Sequence, residues 1–299
     1  MAGAVEHLVT KGLTPERRFI HRFDNTGAVI DQRPDLYDQA FGLFALGHAG
    51  EALGRKDLFD LSLDVLDVLE DKWSRIQGGY WEGELTPCPP YRQNPHMHLF
   101  EAGLVHYGFT GNPRWKEFAT RIGVLFKNRF QHETGPVTEY FDENWKPLAG
   151  LEGQIVEPGH CLEWAWLFEV SFAPIRDVAT AEQLLGFARA KGICAKRGLA
   201  INEVSLSGEV IDGRARLWPQ TERLKSAVAR HRRTGDSADE AEIIAAYEGL
   251  EAYWDPANPA IWYDKIDEAG QPVDEPAPAS SFYHIVCALS ELSKARVAS

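Results

Sequence analysis

The chain has 299 residues, of which 44% are hydrophobic and nine are tryptophan, so it can bury a sizeable core; no apolar run is long enough to span a bilayer. A formal net charge of −13 argues against nucleic acid or an anionic membrane as partner. Four scattered cysteines without a CxxC pair, and an N-terminus with neither a basic nor an apolar leader region, lead to the expectation of a reduced, cytoplasmic protein.

Apolar residues at three- and four-residue spacing predict helices in chain order. A short one near Ala4–Lys11 precedes Leu36–Arg55, Leu58–Trp73, His98–Thr110 and Pro113–Phe130. His160–Phe172, Thr180–Lys191, Trp218–Thr234, Ala238–Tyr253 and Ser280–Val297 follow. Asp57, Asn112 and Ser237 stand where caps are expected, and Pro113 suits a first helical turn. Between helix pairs, residues 18–27, 136–145 and 261–270 alternate in polarity and then meet Asp, Asn or Gly, as small hairpins would. No linker divides the chain, so residues 1–299 are expected to form a single domain.

Five of the helices open with a high density of aromatic, His, Glu or Gln residues, near Tyr37, His98, His160, Trp218 and His284. Successive starts lie 58 to 66 residues apart, and each interval holds one plainer helix. This is a helix-pair repeat. In a closed ring, alternate helices run inside and their starts meet at one end, where free N–H groups and positive dipole ends suit sugar hydroxyls. The expected fold is therefore all-α, an α/α toroid of helix pairs with short hairpins, with a solenoid as the alternative. Extending the repeat backward from Tyr37 places a sixth inner helix before Met1, so the first pair is expected to be lacking. Such a gap would expose apolar flanks, weaken activity and favour pairing with a second copy.

The helix starts carry the chemistry. Arg92-Gln-Asn-Pro-His-Met-His-Leu-Phe-Glu places Asn94, His98 and Glu101 on one helical face, and Glu157-Pro-Gly-His-Cys-Leu-Glu repeats the His–Glu spacing at His160 and Glu163. A lone histidine on such a helix is more often a satisfied core residue. Three at matched repeat positions, His98, His160 and His284, are harder to assign to packing. His7, His21, His48, His106, His132 and His231 read as surface or packing residues. Glu163 is either a helix-start carboxylate favoured by the dipole or a partner for a histidine or a hydroxyl. No GxGxxG or P-loop sequence occurs, so no cofactor is expected; a metal is possible in principle because His and Glu residues cluster, although no HExxH sequence occurs.

The motifs NPHMHLFEA, PGHCLEWAW, RLWPQTERLK and PASSFYH resemble those of the N-acylglucosamine 2-epimerase family, which includes mannose isomerases, over about Val5 to Leu292. The resemblance implies an (α/α)6 barrel and a metal-free reaction in which His160 and His284 are the catalytic acid–base pair. It further implies that Tyr37, Asn94, His98, Glu163 and Trp218 shape and contact a small-molecule sugar. A family arginine carried by the N-terminal helix pair has no match here. The expected reaction exchanges an aldose and a ketose of the mannose–fructose type through a cis-enediolate, since histidine titrates near neutral pH. Epimerisation of an N-acylglucosamine is the first alternative. A binding protein without turnover, or a hydrolase using Glu101 with Glu163 or Glu163 with Glu222, are alternatives of other classes.

Overall fold

Helices form where the apolar spacing places them, in a computed structural model that describes residues 2–295. Their contacts gather into two units, Met1–Phe130 with Tyr140–Ala149 and Gln131–Glu139 with Gly150–Ser299.

The N-terminal unit holds α1 (Ala2–Lys11), α2 (Leu36–Leu53), α3 (Lys56–Val68), α4 (Asn94–Thr110) and α5 (Pro113–Leu125). Asp35 caps α2 by accepting from the Tyr37 N–H, and Gly54, at φ 63°, ends it in the left-handed conformation. Asn112 caps α5 as expected, accepting from the Arg114 N–H, with Pro113 in the first turn. Asp57 does not cap: it lies inside the first turn of α3, where its carboxylate accepts from Arg55. Helices α3 and α5 each run on into a π-helical turn, Leu69–Trp73 and Phe126–Phe130, which is why the apolar pattern continues to Trp73 and Phe130. Helix α4 is buried from Pro95 through Gly103, on every face, whereas α5 buries only the stripe of Trp115, Phe118, Ala119, Ile122 and Gly123, ending at Leu125. The two packing roles of the repeat are thus visible within the unit: α4 is wrapped by α2 and α5, and α5 keeps an open side.

The C-terminal unit holds α6 (Pro158–Val170), α7 (Val178–Lys191), α8 (Leu217–Thr234), α9 (Ser237–Glu251) and α10 (Ser281–Leu292). Helix α8 is its axis, packed against α6, α9 and α10 and buried without interruption from Leu217 to Ala229. Leu217, Leu224 and Val228 meet Leu250 near the end of α9, Tyr253 just beyond it, and Ile285 and Ala288 on α10. Each fully buried leucine or isoleucine contributes about 1.5–3 kcal/mol. Asp236, one residue before the expected Ser237, caps α9 by accepting from the Ala238 N–H. The last helix closes at Leu292, and the expected end at Val297 lies outside the described residues. Phe282, Val286 and Leu289 form an exposed stripe along α10.

The expected hairpins are only partly self-contained. Arg22–Phe23 pairs with Val29–Asp31 across a turn in which the Asp24 carboxylate accepts from the N–H groups of Thr26 and Ala28. The same aspartate turn recurs at Asp142 and Asp267. There, however, Tyr140–Phe141 pairs with Tyr91–Arg92, and Lys265–Ile266 pairs with Ala215–Arg216. Those partner strands lead directly into α4 and α8. The short sheets therefore fix where the inner helices start.

Candidate active site

In the C-terminal unit three aromatic rings from three helices come together. His160 enters from the first turn of α6, Trp218 from the first turn of α8 and His284 from α10. The Trp218 ring centre lies 4.9 Å from that of His160 and 5.6 Å from that of His284, both tilted by 37°. One indole thus lies against both imidazoles. Gly159 makes this possible, because a Cβ there would overlap the Trp218 ring. Both histidines are nearly enclosed, at 4% and 8% exposure.

Each imidazole is held through Nδ1. The Nδ1 of His160 is 2.8 Å from Glu139 Oε2, and that of His284 is 2.8 Å from Glu222 Oε1. A carboxylate oxygen accepts, so Nδ1 carries the hydrogen and Nε2 is the nitrogen left for proton exchange. The surroundings otherwise differ. His160 also has Glu157 Oε2 at 3.9 Å. Burial alone would push His160 down, but Glu139, Glu157 and Glu163 outweigh it and raise the imidazole to about 9. Burial raises Glu157 to about 7, against the pull of His160. The carboxylate of His284 is shared, since Lys225 Nζ lies 2.7 Å from Glu222 Oε2. Burial would raise Glu222, yet Lys225 and His284 hold it well below the usual carboxylate range.

Glu163 stands in the second group, where it, Glu222 and His284 bring single polar atoms within 4.8 Å of one another. Glu139, Glu157 and His160 do the same. In both groups the histidine Nδ1 is committed to a carboxylate, which fixes the ring and leaves Nε2 as the nitrogen that can exchange a proton or meet a ligand. Arg216, directly before α8, keeps about a third of its side chain exposed, with Nε 3.5 Å from Asp264.

The N-terminal unit assembles the other expected residues at the starts of α2 and α4. The ring of His98 meets that of Tyr37 edge-on at 5.1 Å and that of Phe41 at 4.5 Å, and its Nδ1 is 3.5 Å from Glu101 Oε2. Asn94 lies one turn earlier on α4, and its Oδ1 is buried without a hydrogen-bond partner among the described residues. Beside them His21 Nδ1 bonds Asp38 at 2.7 Å, and burial pushes Asp38 up to about 6. His106 is a packing residue as expected: Nε2 lies 2.9 Å from the Leu43 carbonyl, and the ring stacks on Trp115 at 4.2 Å.

Sequence reasoning found the histidines and Trp218 but not what holds them. Glu139 lies 21 residues before His160 and Glu222 lies 62 before His284, spacings that no helical period reports. Only Glu157, three residues before His160, and Lys225, three after Glu222, carried a local signal.

A family model described as N-acylglucosamine 2-epimerase matches residues 4–288. Over 279 residues the chain is 37% identical to the mannose-6-phosphate isomerase of Rhizobium meliloti (strain 1021), a match covering 89% of this chain and 71% of that one. It is 27% identical over 270 residues to the D-mannose isomerase of Thermobifida fusca, covering 82% of this chain but 65% of the relative. A solved D-mannose isomerase structure superposes with a TM-score of 0.86 at 22% identity, over 98% of this chain and 80% of that one, and so has the same fold. No helix among the described residues is long and apolar enough to cross a membrane.

Proposed function

The chain belongs to the N-acylglucosamine 2-epimerase family of sugar isomerases and epimerases, and on that premise we propose that it interconverts an aldose and a ketose of the mannose–fructose type. The observation that carries this is the pair of enclosed imidazoles on one indole, each anchored at Nδ1 and presenting Nε2. An aldehyde acidifies the neighbouring C2 hydrogen. A base beside that carbon yields a cis-enediolate, and a proton returned to C1 gives the ketose. His160, raised to about 9 by its carboxylates, carries a proton at neutral pH and acts as the acid. His284 acts as the base through Nε2. Trp218 gives the sugar an apolar floor, and Glu163 accepts from a sugar hydroxyl. Tyr37, Asn94 and His98 take the sugar-contacting roles that the family resemblance gives them. Asn94 supports this with a buried oxygen that lacks a protein donor among the described residues. Proton transfer of this kind needs no hydride carrier.

A phosphorylated hexose is the second reading. Arg216 favours it, standing partly exposed at the head of α8, and the relative at 37% identity is named for such a substrate. Mannose, mannose 6-phosphate and N-acetylglucosamine, each incubated with the chain in heavy water, separate these cases. Ketose formation with solvent deuterium in product or recovered substrate is expected from one of the first two. Exchange at C2 of N-acetylglucosamine alone would replace the isomerase by an epimerase. Reducing ends released from oligosaccharides, with no exchange in any monosaccharide, would overturn the proposal in favour of hydrolysis.

A further inference from the structure

Lys225 is buried completely, as is the Glu222 it faces. An ammonium withdrawn from water is costly unless it answers a charge. Here that charge belongs to the group that holds the second histidine. Nζ lies 2.7 Å from Glu222 Oε2, while Glu222 Oε1 accepts from His284 Nδ1 at 2.8 Å. The same ammonium stands 3.7 Å from the ring centre of Trp166 and 5.9 Å from that of Tyr283. Aromatic walls therefore fix where the cation sits.

We propose that Lys225 is a positioning residue for His284: by holding Glu222 as a carboxylate in one orientation, it makes Nδ1 the permanent N–H of that imidazole and leaves Nε2 as the nitrogen that exchanges protons. The inference deepens the proposed function and rests on His284 being a catalytic base. The groups that face this imidazole are Glu222 from α8 with Lys225 behind it, Glu163 from α6, Trp218 from the head of α8, and Tyr283 on its own helix. Lys225 is the cation named in that set. Without it the Glu222–His284 pair takes up its additional proton at higher pH, whether the proton resides on the ring or on the carboxylate, because both forms lose the same repulsion. The depression of Glu222 by Lys225 is the expected electrostatic companion of this geometry.

Lys225→Met keeps the length of the side chain and its contact with Trp166 while deleting the charge. The acidic limb of kcat/KM is expected to move up by about one pH unit or more, with kcat at neutral pH falling about tenfold and KM changing little. The nitrogen-15 resonances of His284, assigned by comparison with His284→Asn, should titrate at correspondingly higher pH. An unmoved limb together with an unmoved titration overturns the proposal and makes Lys225 a packing residue. If the Met variant does not fold, the electroneutral pair Glu222→Gln with Lys225→Met serves in its place. A mixture of both imidazole tautomers in that protein is expected, and a single Nδ1–H form would refute the positioning role. Absence of turnover by the unaltered chain would overturn the catalytic assignment, whereas the His284 titration reads the lysine independently of turnover.

Discussion

His160 and His284 approach the same indole from different helices, yet one sits among carboxylates and the other faces a carboxylate already claimed by a lysine. The burial of the rings is alike, and the hydrogen-bond length at Nδ1 is the same. What differs is the charge behind the anchor. Glu139, Glu157 and Glu163 raise the proton affinity of one imidazole, whereas the carboxylate that orients the other is shared with an ammonium. The comparison teaches that the residue that orients a buried imidazole need not be the one that sets the charge around it. Here Glu139 orients His160 and shares with Glu157 and Glu163 in raising it, whereas Glu222 orients His284 and Lys225 holds Glu222.

Three measurements can break or sharpen that contrast. The largest effect is expected from replacing the rings themselves. His160→Asn and His284→Asn should each lower kcat by about 10²–10⁴-fold, measured as ketose formation from the accepted aldose. Activity within a few-fold of the unaltered chain for either variant would remove that ring from the chemistry. Next comes Glu139→Gln, read through stability. The folded-state pKa of His160 lies above its unfolded value, so its contribution is complete below about pH 6.5 and is lost as pH rises through about 9. This amounts to about 3 kcal/mol at most; Glu157, also raised, loses its contribution in an earlier window, between about pH 4.5 and 7. Denaturant unfolding from pH 6.5 to 9.5 should show that decline in the unaltered chain and a much flatter profile in Glu139→Gln. Glu222 has the opposite sign: its depressed pKa gives stability that is present above about pH 4.5 and lost as pH falls through its folded value. The smallest effect is expected at Asn94→Ala, a few-fold rise in KM with kcat nearly unchanged, since a contact made equally in ground and transition states is lost. A fall in kcat with KM intact would instead place Asn94 at the reacting carbon.

Much of the fold was legible because the helix-pair period leaves a trace at every inner start. The dense polar and aromatic openings at Tyr37, His98, His160, Trp218 and His284 all fall on helices that the structure forms. Helix ends were less legible. The π-helical turns at Leu69–Trp73 and Phe126–Phe130 prolong the apolar pattern beyond the α-helical bonds, and Asp57 has the composition of a cap without its position. Within the candidate site, sequence spacing pairs residues along one helix, so His98 with Glu101 and His160 with Glu163 stood out. The anchors of the two imidazoles came from elsewhere. Glu139 precedes α6 in an irregular segment, and Glu222 reaches a helix that begins at Ser281. Such links exist only after packing, which a periodic pattern does not encode. Lys225 was the exception in principle: a lysine three residues after a glutamate, inside an otherwise buried run, has few reasons to be there other than that glutamate.

The close approach of α6 to Trp218 has a consequence for how the site can vary. Because Gly159 leaves room for the indole only by lacking a side chain, any larger residue there must displace the ring that both imidazoles lie against, and any smaller ring at Trp218 leaves them without it. The centre is thereby closed to gradual remodelling. Variation is left to residues that can alter in bulk or charge while the rings stay in place, such as Arg216, partly exposed at the head of α8.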